Sequence, residues 1–482
     1  MSRFGRAGIE HGREGERRGK GSDGRTDRRS SRGEAARVER RPRCNARRGH
    51  LERSSVLFHA LEASFLFLGL LLLVTSYNAK EVSSAEQFMS MGLSQRELGV
   101  YLKLEEVSQR RKENNQVPRP VVVITDVGKD YDDLAALVVL SEFHHFGFIE
   151  LRAVVANLIP AEKRAHLAKA ALESLGLGDV PVAFGTRGSP DDHEVLDHEF
   201  KGAEFSRGAS VELENGKALL TRVYQTAKEK DEKLYLLCLS SLQDIFEFAS
   251  ANTDLVVKYT AEVHMQGGVS ENEHNLKPDG NAANNRFNLD AAVEWYLFIQ
   301  RHAIRSHIYT KNAAFIASLD SGVFKELAAT GHPIGAYLRR VQVEQDVAFY
   351  KRACESDPGK RFAPFMDQTW FLDHKTNWHL RPHPSEGDTL PVGEEVIPYL
   401  TKIVLYDVLA ALGVAGDDVV DVLKNDIKVE SEVLGESGSG KTMHYSVTNK
   451  PVTSEDADRI SLEVASLLKG ALSGRSKSVD SQ

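Results

Sequence analysis

The chain has 482 residues, of which 41% are hydrophobic and 27% are charged, a balance typical of a globular protein. Its net charge of −8 is unevenly divided: residues 1–55 carry 17 Lys/Arg against 8 Asp/Glu, which leaves 44 against 61 in the remainder. The acidic remainder argues against a nucleic-acid-binding protein. Three cysteines without paired spacing argue against a disulfide framework or a zinc cluster.

Two N-terminal segments differ from the rest of the chain. Residues 1–55 contain few large apolar residues and are predicted to form a disordered basic tail. Residues 56–79 include 17 uncharged residues at 63–79, a length between a signal peptide core and a full membrane span. Three interpretations stay open: a signal anchor, a signal peptide cleaved near Ala79 to give a secreted protein, and a later start, for example at Met89, that leaves the protein cytoplasmic.

Residues 80–117 are predicted to be a linker with a helical lead-in, after which β-branched runs alternate with helical ones. The predicted strands are residues 120–125, 149–157, 180–185, 232–239, 261–268 and 304–310. The predicted helices are residues 132–146, 161–176, 241–250 and 289–302. This alternation predicts an α/β domain at 118–470, with a mainly parallel open sheet and helices on both faces. Residues 471–482 are predicted to be a disordered tail.

A glycine-rich stretch near the C-terminus, LGESGSGKT at 434–442, matches the P-loop pattern through Gly435, Gly440, Lys441 and Thr442. A working P-loop needs a helix directly after it. Here the following residues alternate like a strand, and only 40 residues follow Thr442. The stretch therefore predicts the turn of a C-terminal β-hairpin.

Four aspartates lie between the first predicted strand and the first predicted helix: Asp126, Asp130, Asp132 and Asp133. Carboxylates this close repel one another strongly unless a cation neutralises them. Oxygen-only ligands indicate a hard ion, Ca²⁺ or Mg²⁺. A single aspartate would suffice to cap the helix, so four indicate a metal site.

The segment around these aspartates, ITDVGKDYDD, resembles the opening motif D-x-D-P-G-x-D-D of nucleoside hydrolases, the inosine/uridine-preferring enzymes that use calcium to split the N-glycosidic bond of ribonucleosides. The chain departs from the motif by Ile124 in place of the first aspartate and by two extra residues before the aspartate pair. The resemblance extends from about residue 118 to 447, through AVVAN, LLCLSSLQDI, MQGGV and NNRFNLDAA. LYDVLAALGV resembles the late motif His-Asp-Pro-Leu-Ala, with Tyr406 where many relatives have histidine.

The resemblance implies roles for residues that lie far apart in the chain. The Ca²⁺ ligands that it implies are Asp126, Asp133, Asp407 and the backbone carbonyl of Leu239. The ribose contacts that it implies are Asp132, Asn157, Asn275, Asn284 and Asn285, and the choice between the last two stays open. Asp126 would act as general base, and Tyr406 would lie beside the leaving base.

The activity implied by the resemblance is Ca²⁺-dependent hydrolysis of ribonucleosides to ribose and free base. Two alternatives stay open: a catalytically silent homologue that binds ribosides or metal, favoured by Ile124 and Tyr406, and a hydrolase of another N-ribosyl compound. The expected partner is a small-molecule nucleoside and not a nucleic acid. Membrane anchoring through residues 56–79 and homo-oligomerisation stay open.

Overall fold

The structure is a computed structural model that describes residues 92–191, 194–206, 212–270, 276–380, 389–421, 427–433, 440–447 and 453–474. The predicted tail at 1–55, the hydrophobic segment at 56–79 and Asn275 lie outside the described residues. Within the ranges described, no helix combines the length and the apolar character needed to cross a membrane.

The architecture is dominated by one parallel sheet. The strands are β1 (Arg119–Thr125), β2 (Ile149–Ala156), β3 (Val182–Phe184), β4 (Glu214–Asn215), β5 (Leu234–Cys238), β6 (Thr260–Gly267), β7 (Arg305–Thr310), β8 (Leu319–Asp320), β9 (Lys402–Ile403), β10 (Ile427–Val433) and β11 (Gly440–Val447). Of these described strands, nine form one sheet in the order β10-β11-β7-β6-β5-β1-β2-β3-β4, and β8 pairs with β9. Neighbours in the large sheet are parallel except for β10 and β11. The predicted mainly parallel open sheet is therefore confirmed.

Helices cover both faces of this sheet. They are α1 (Gln95–Glu113), α2 (Asp132–Phe146), α3 (Ala161–Ser174), α4 (Gly216–Lys230), α5 (Gln243–Ala251), α6 (Thr253–Tyr259), α7 (Ala283–Phe287), α8 (Leu289–Arg301), α9 (Lys311–Ile316), α10 (Gly322–Ala329), α11 (Pro333–Ala353), α12 (Gln368–Lys375), α13 (Tyr406–Val414) and α14 (Ser454–Gly474). Every strand and helix predicted from the sequence has a counterpart among these elements.

Strand β1 shows how the two faces are filled. Val121 and Val123 pack into an apolar cluster with α2 and α13, whereas Val122 and Ile124 pack into a second cluster with α4 and α8. A strand buried on both faces needs apolar side chains at successive positions, because alternate residues point to opposite sides. This explains why β1 is an uninterrupted apolar run, and why Ile124 is fully buried in the second cluster.

The turn from β1 into α2 places acidic residues at the carboxyl edge of the sheet. Helix α2 begins with Asp132 and Asp133 in its first turn and ends at Gly147, which has a φ of 76°. Negative charge in a first helical turn complements the helix dipole, and glycine adopts the left-handed φ of a helix end without strain. The strand, loop and helix therefore have well-defined limits in the sequence.

Helix α1 packs onto this domain through α14 and α2. The Tyr101 hydroxyl donates to Glu142 of α2 at 2.9 Å, and Arg111 pairs with Asp418 at 2.6 Å. Helix α14 extends to Gly474. The domain limits at residues 118 and 470 stay predictions.

The predicted C-terminal β-hairpin is confirmed. Strands β10 and β11 pair antiparallel from Ile427 opposite Ser446 to Val433 opposite Gly440. The predicted turn at 434–439 lies outside the residues that the structure describes. Lys441 belongs to strand β11, whereas a working P-loop needs a helix directly after its glycine-rich stretch.

Helix α13 approaches the sheet closely at Gly413, where an added Cβ would overlap the Tyr309 ring of β7. We expect Gly413→Ala to lower the free energy of unfolding by about 1–3 kcal/mol, because overpacking forces neighbouring groups to shift. Gly99→Ala is the control: Gly99 lies at an exposed position of α1, has nothing within 4 Å of its added Cβ, and its substitution should stabilise by up to about 1 kcal/mol. Denaturant unfolding measures both, and equal effects would contradict the close packing of α13.

Candidate functional site

Five carboxylates converge at the carboxyl edge of β1. They come from the loop after β1, from the first turn of α2 and from the first turn of α13. The acidic cluster, as this group is called below, consists of Asp126, Asp130, Asp132, Asp133 and Asp407. Asp407 lies close to the other four carboxylates: burial, followed by their charges, raises its pKa well above the ordinary value.

Asp133 organises the loop that follows β1. Its Oδ1 accepts hydrogen bonds from the Thr125 hydroxyl and, at 3.1 Å, from the backbone N–H of Asp126. The Thr125 hydroxyl oxygen accepts in turn from the Val127 N–H at 3.2 Å. The Asp126 side chain is thereby held beside Asp133, and its Oδ2 is buried without a hydrogen-bond partner.

Asp132 connects the N-termini of α2 and α13. Its Oδ2 accepts from the backbone N–H of Tyr406 at 3.1 Å, while its Oδ1 is buried without a hydrogen-bond partner. One oxygen from each of Asp130, Asp132 and Asp133 lies within 4.8 Å of the other two. Buried polar atoms without partners are uncommon, and clustered carboxylate oxygens are ligands of hard cations. These residues could hold a metal ion.

Burial and mutual repulsion dominate the electrostatics of the acidic cluster. Burial, followed by the charges of neighbouring carboxylates, raises the pKa of Asp132 and of Asp133 well above the ordinary value. Burial also raises the pKa of Asp126, against the opposing charge of Lys129. These carboxyls are therefore held in an environment that disfavours their ionised form unless positive charge is supplied.

Lys129 supplies part of that charge and was not singled out in the sequence analysis, although it lies inside the quoted motif. Its Nζ is 2.9 Å from Oδ2 of Asp130. Burial opposes ionisation of Asp130, but the charge of Lys129 and the hydrogen bonds with Asp132 and Lys129 together outweigh it and hold the pKa of Asp130 below its usual range. One ammonium group thus neutralises one of the five carboxylates.

Arg164 of α3 is a second basic residue that the sequence analysis missed. It is fully buried and forms an ion pair of 2.6 Å with Glu199, which is also buried. Its guanidinium also donates to the backbone carbonyls of Asp126, Leu158 and Ile159 at 3.0–3.1 Å. The signal in the sequence is an arginine on the apolar side of a predicted helix, but its partners could not be inferred from that position.

Asn157 follows β2 and is completely buried. Its amide donates to Oδ2 of Asp244 at 2.8 Å and to the Ser241 carbonyl at 3.0 Å, and its Oδ1 accepts from the Ser240 hydroxyl at 2.6 Å. Asp244 also accepts from the backbone N–H and the hydroxyl of Thr186, both at 2.7 Å. Both amide hydrogens of Asn157 are therefore engaged within the protein, which is a role in positioning that the sequence did not reveal.

Asn284 and Asn285 occupy different surroundings. Asn284 donates to the Leu239 carbonyl and to Oε1 of Gln266, both at 2.7 Å. Asn285 donates to two backbone carbonyls in the loop after β6, both at 3.0 Å. Leu239 lies beside the end of β1, because its N–H donates to the Ile124 carbonyl at 2.8 Å. The structure therefore brings Asn284, and not Asn285, next to the Leu239 carbonyl.

Tyr406 is the first residue of α13 and remains 36% exposed, in contrast to Asp407 at 3%. Its backbone N–H binds Asp132, and its side chain reaches solvent at the edge where the acidic cluster lies. Asn275 lies outside the described residues.

The fold is shared with two solved effector proteins. The chain is 23% identical to the type III effector XopQ, with a TM-score of 0.61 and coverage of 79% of this chain and 100% of that chain. It is 24% identical to the effector protein XOO4466, with a TM-score of 0.59 and coverage of 78% and 99%. A purine-preferring ribonucleoside hydrolase from Gardnerella vaginalis matches at 14% identity and a TM-score of 0.44, with coverage of 73% and 99%.

No protein-family model and no curated protein sequence matches the chain. The predicted fold class, an α/β domain with a mainly parallel open sheet, is confirmed, and the two effector proteins share this fold. Identities below 25% show a common fold and not a common activity. Activity therefore has to be argued from the residues of the site.

The raised pKa values predict that metal stabilisation depends on pH. Protonation of Asp126, Asp132, Asp133 and Asp407 favours the folded protein, because the pKa of each is higher in the folded state than in the unfolded chain. Without metal, this contribution to the free energy of unfolding is present below the ordinary pKa of 3.8 and is lost as pH rises through the folded-state pKa. A divalent cation binds the ionised carboxylates and opposes this loss. We therefore expect the increase in Tm produced by Ca²⁺ to become larger from about pH 5 to about pH 7.5, as measured by thermal unfolding in Ca²⁺ and in chelator.

Two variants test whether the increase in Tm produced by Ca²⁺ arises at the acidic cluster. Asp133→Asn keeps the Oδ1 acceptor for Thr125 but removes a charge, and it should abolish most of the Ca²⁺ effect. Asp290→Asn, in the exposed first turn of α8, should leave the effect unchanged. At a Ca²⁺ concentration one hundred times the Kd, the ion should raise the free energy of unfolding of the wild type by about 2.7 kcal/mol. A response that is independent of pH, or that persists in Asp133→Asn, would contradict the assignment.

Proposed function

We propose that the chain is a Ca²⁺-dependent hydrolase of the N-glycosidic bond of ribonucleosides, releasing ribose and the free base. The observation that carries this proposal is the acidic cluster, in which two buried carboxylate oxygens, Oδ2 of Asp126 and Oδ1 of Asp132, lack hydrogen-bond partners. Most buried polar atoms in proteins have a hydrogen-bond partner. A site that receives a cation and a polar substrate accounts for these two oxygens.

The proposed ligands are Asp126, Asp133, Asp407 and the Leu239 carbonyl. All three aspartates are at most 3% exposed, and the Leu239 carbonyl lies at the end of the neighbouring strand β5. Ca²⁺ prefers such carboxylate and carbonyl oxygens, and when bound it supplies polarisation of a coordinated water and of ribose hydroxyls. Mg²⁺ demands a stricter octahedral arrangement, so Ca²⁺ is the better match for ligands drawn from separate elements.

Asp126 is the proposed general base. Its backbone is held on both sides, because its N–H donates to Asp133 and its carbonyl accepts from Arg164 at 3.1 Å. Its pKa is raised, chiefly by burial, and a carboxylate with a raised pKa is a stronger base towards a water proton. A fixed position and increased basicity together suit Asp126 to activate the attacking water.

The remaining cluster residues would act on the sugar. Departure of the base leaves positive charge on the ribosyl ring, which nearby carboxylates stabilise. Oδ1 of Asp132, which has no hydrogen-bond partner, is suited to accept from a ribose hydroxyl, and Asn284 donates to the carbonyl of the proposed ligand Leu239 at 2.7 Å. Asn157, Asn275 and Asn285 stay predicted contacts.

Tyr406 is the proposed contact for the departing base. Its side chain is exposed at the site while its backbone is tied to Asp132 at 3.1 Å. A phenol is a weak acid at neutral pH, with an ordinary pKa of about 10. Hydrogen bonding or stacking at the base, and not complete protonation, is therefore the contribution that Tyr406 would make.

A second candidate function is binding of a riboside without turnover, or hydrolysis of a different N-ribosyl compound. Lys129 favours this alternative, because an ammonium group 2.9 Å from Asp130 already supplies positive charge to the cluster. The apolar side chain of Ile124 removes one carboxylate that the resemblance would place here. XopQ was solved in complex with adenosine diphosphate ribose, so this compound is the ligand to test.

Release of ribose from inosine, uridine, adenosine and cytidine by the full chain tests the proposal. We expect release in Ca²⁺ and none in chelator, and a loss of at least about 100-fold in Asp126→Asn, the lower range for a missing general base. Asp290→Asn is the matched control and should retain the wild-type rate. Full activity in Asp126→Asn would contradict the assigned mechanism.

Calorimetry with adenosine diphosphate ribose separates the two candidates. Binding without ribose release from any of the four nucleosides would favour the second candidate function. Ca²⁺-dependent release from at least one nucleoside supports the first. Circular dichroism of each variant shows whether it is folded before its activity is compared.

A further inference from the structure

A second group of metal-binding side chains lies on strands β6 and β7. Glu262 and His264 are two residues apart on β6, so they face the same side of the sheet. His307 of β7 lies directly opposite His264 in the parallel register. The His–Glu cluster, as these three residues are called below, is formed by chain segments that do not contribute to the acidic cluster.

The ligand atoms of the His–Glu cluster converge. Nε2 of His264 is 3.5 Å from Oε2 of Glu262, and Nε2 of His307 is 3.8 Å from the same oxygen. The two imidazole rings are parallel within 8°, with centroids 4.7 Å apart. One ligand atom from each residue lies within 4.8 Å of the others. In a tetrahedral zinc site with bonds of about 2.0–2.1 Å, the ligand atoms are about 3.4 Å apart. Because the two rings are stacked, their lone pairs lie in parallel planes, and His307, the more exposed of the two histidines, would turn its ring to meet an ion held by His264.

His264 is oriented for this purpose. It is 2% exposed, and its Nδ1 lies 3.1 Å from the Tyr309 hydroxyl. Its Nε2 is buried without a hydrogen-bond partner, since 3.5 Å to Glu262 is too long for a normal hydrogen bond. In the tautomer in which His264 donates Nδ1–H to Tyr309, the Nε2 lone pair is presented to a metal, and such a partner fixes the ring in known metal sites.

Solvent can reach the His–Glu cluster from one side. The side chains of Glu262 and His307 are 18% and 14% exposed, whereas His264 lies beneath them. The site is thus partly accessible, and its ligand atoms are the neutral imidazole and carboxylate groups that zinc accepts.

Nearby charges partly oppose a cation and therefore limit its affinity. Arg305 lies 3.3 Å from Oε1 of Glu262, which leaves Oε2 facing the two histidines. Arg119 is close enough to lower the pKa of His264, and Asp417 acts in the opposite direction. The ion pair between Arg305 and Glu262 is exposed on the arginine side, and such pairs contribute little to stability. A metal ion can therefore displace Arg305 from Glu262.

We propose that Glu262, His264 and His307 bind a zinc ion. Two imidazoles and one carboxylate are a donor set that zinc accepts, with water in a fourth position. Hard ions such as Ca²⁺ prefer oxygen ligands only, so the two clusters select different metals. The site is independent of the proposed hydrolase activity, because none of its residues belongs to the acidic cluster.

Zinc binding by the full chain in excess Ca²⁺ tests the proposal, because Ca²⁺ then occupies the acidic cluster. Calorimetry after chelator treatment and dialysis should show one Zn²⁺ per chain. Glu262→Gln and His307→Gln should each weaken binding by more than about 100-fold, and Tyr309→Phe, which removes only the orienting contact, by about 10–100-fold. His379→Gln, at a side chain that is 55% exposed, is the matched histidine control and should bind zinc normally.

Circular dichroism confirms folding of each variant, and Glu262→Gln keeps the proposal testable if a buried histidine variant does not fold. A visible spectrum of bound Co²⁺ typical of four-coordinate nitrogen and oxygen ligands, lost in Glu262→Gln, supports the site. No zinc binding by the folded wild type in excess Ca²⁺, or unchanged binding in both Glu262→Gln and His307→Gln, overturns it.

Discussion

Five carboxylates are held together at the carboxyl edge of β1, where two unit charges 4 Å apart repel each other by about 4 kcal/mol at an effective dielectric constant of 20. The chain reduces this repulsion by local means: Thr125 and the backbone N–H of Asp126 donate to Asp133, and the N–H of Tyr406 donates to Asp132. Lys129 neutralises Asp130. These contacts leave negative charge and two oxygens without hydrogen-bond partners. Further positive charge at the loop after β1 would therefore stabilise it.

The parallel topology determines which residues share this charge. Strand β1 lies between β5 and β2, so the loops that follow these strands meet at one edge. Helix α13 brings Asp407 to the same edge, and its N-terminus, like that of α2, favours negative charge. The opposite end of α13 packs at Gly413 against Tyr309, which contacts His264. Helix α13 thus carries Asp407 of the acidic cluster at one end and packs at the other against Tyr309, the neighbour of His264.

The sequence predicted the elements whose limits are encoded locally. Helix α2 begins and ends at the predicted residues because Asp132 and Asp133 suit its first turn and Gly147 ends it. The sequence did not reveal the roles of Lys129 and Arg164. Lys129 meets Asp130 only in the folded loop, and Arg164 pairs with Glu199 from a distant segment. The resemblance identified Asn157 as a polar residue after β2, but its bonds to Asp244 and Ser241 depend on the pairing of separate loops.

The central claim is that the acidic cluster requires a cation beyond Lys129, and the most direct test is the number of Ca²⁺ ions bound per chain near neutral pH. Calorimetry should find one ion in the wild type and tighter binding in Lys129→Gln, because that variant loses the internal cation that competes for Asp130. If the folded wild type binds no Ca²⁺ and Lys129→Gln does, Lys129 alone would satisfy the cluster and the claim would be contradicted.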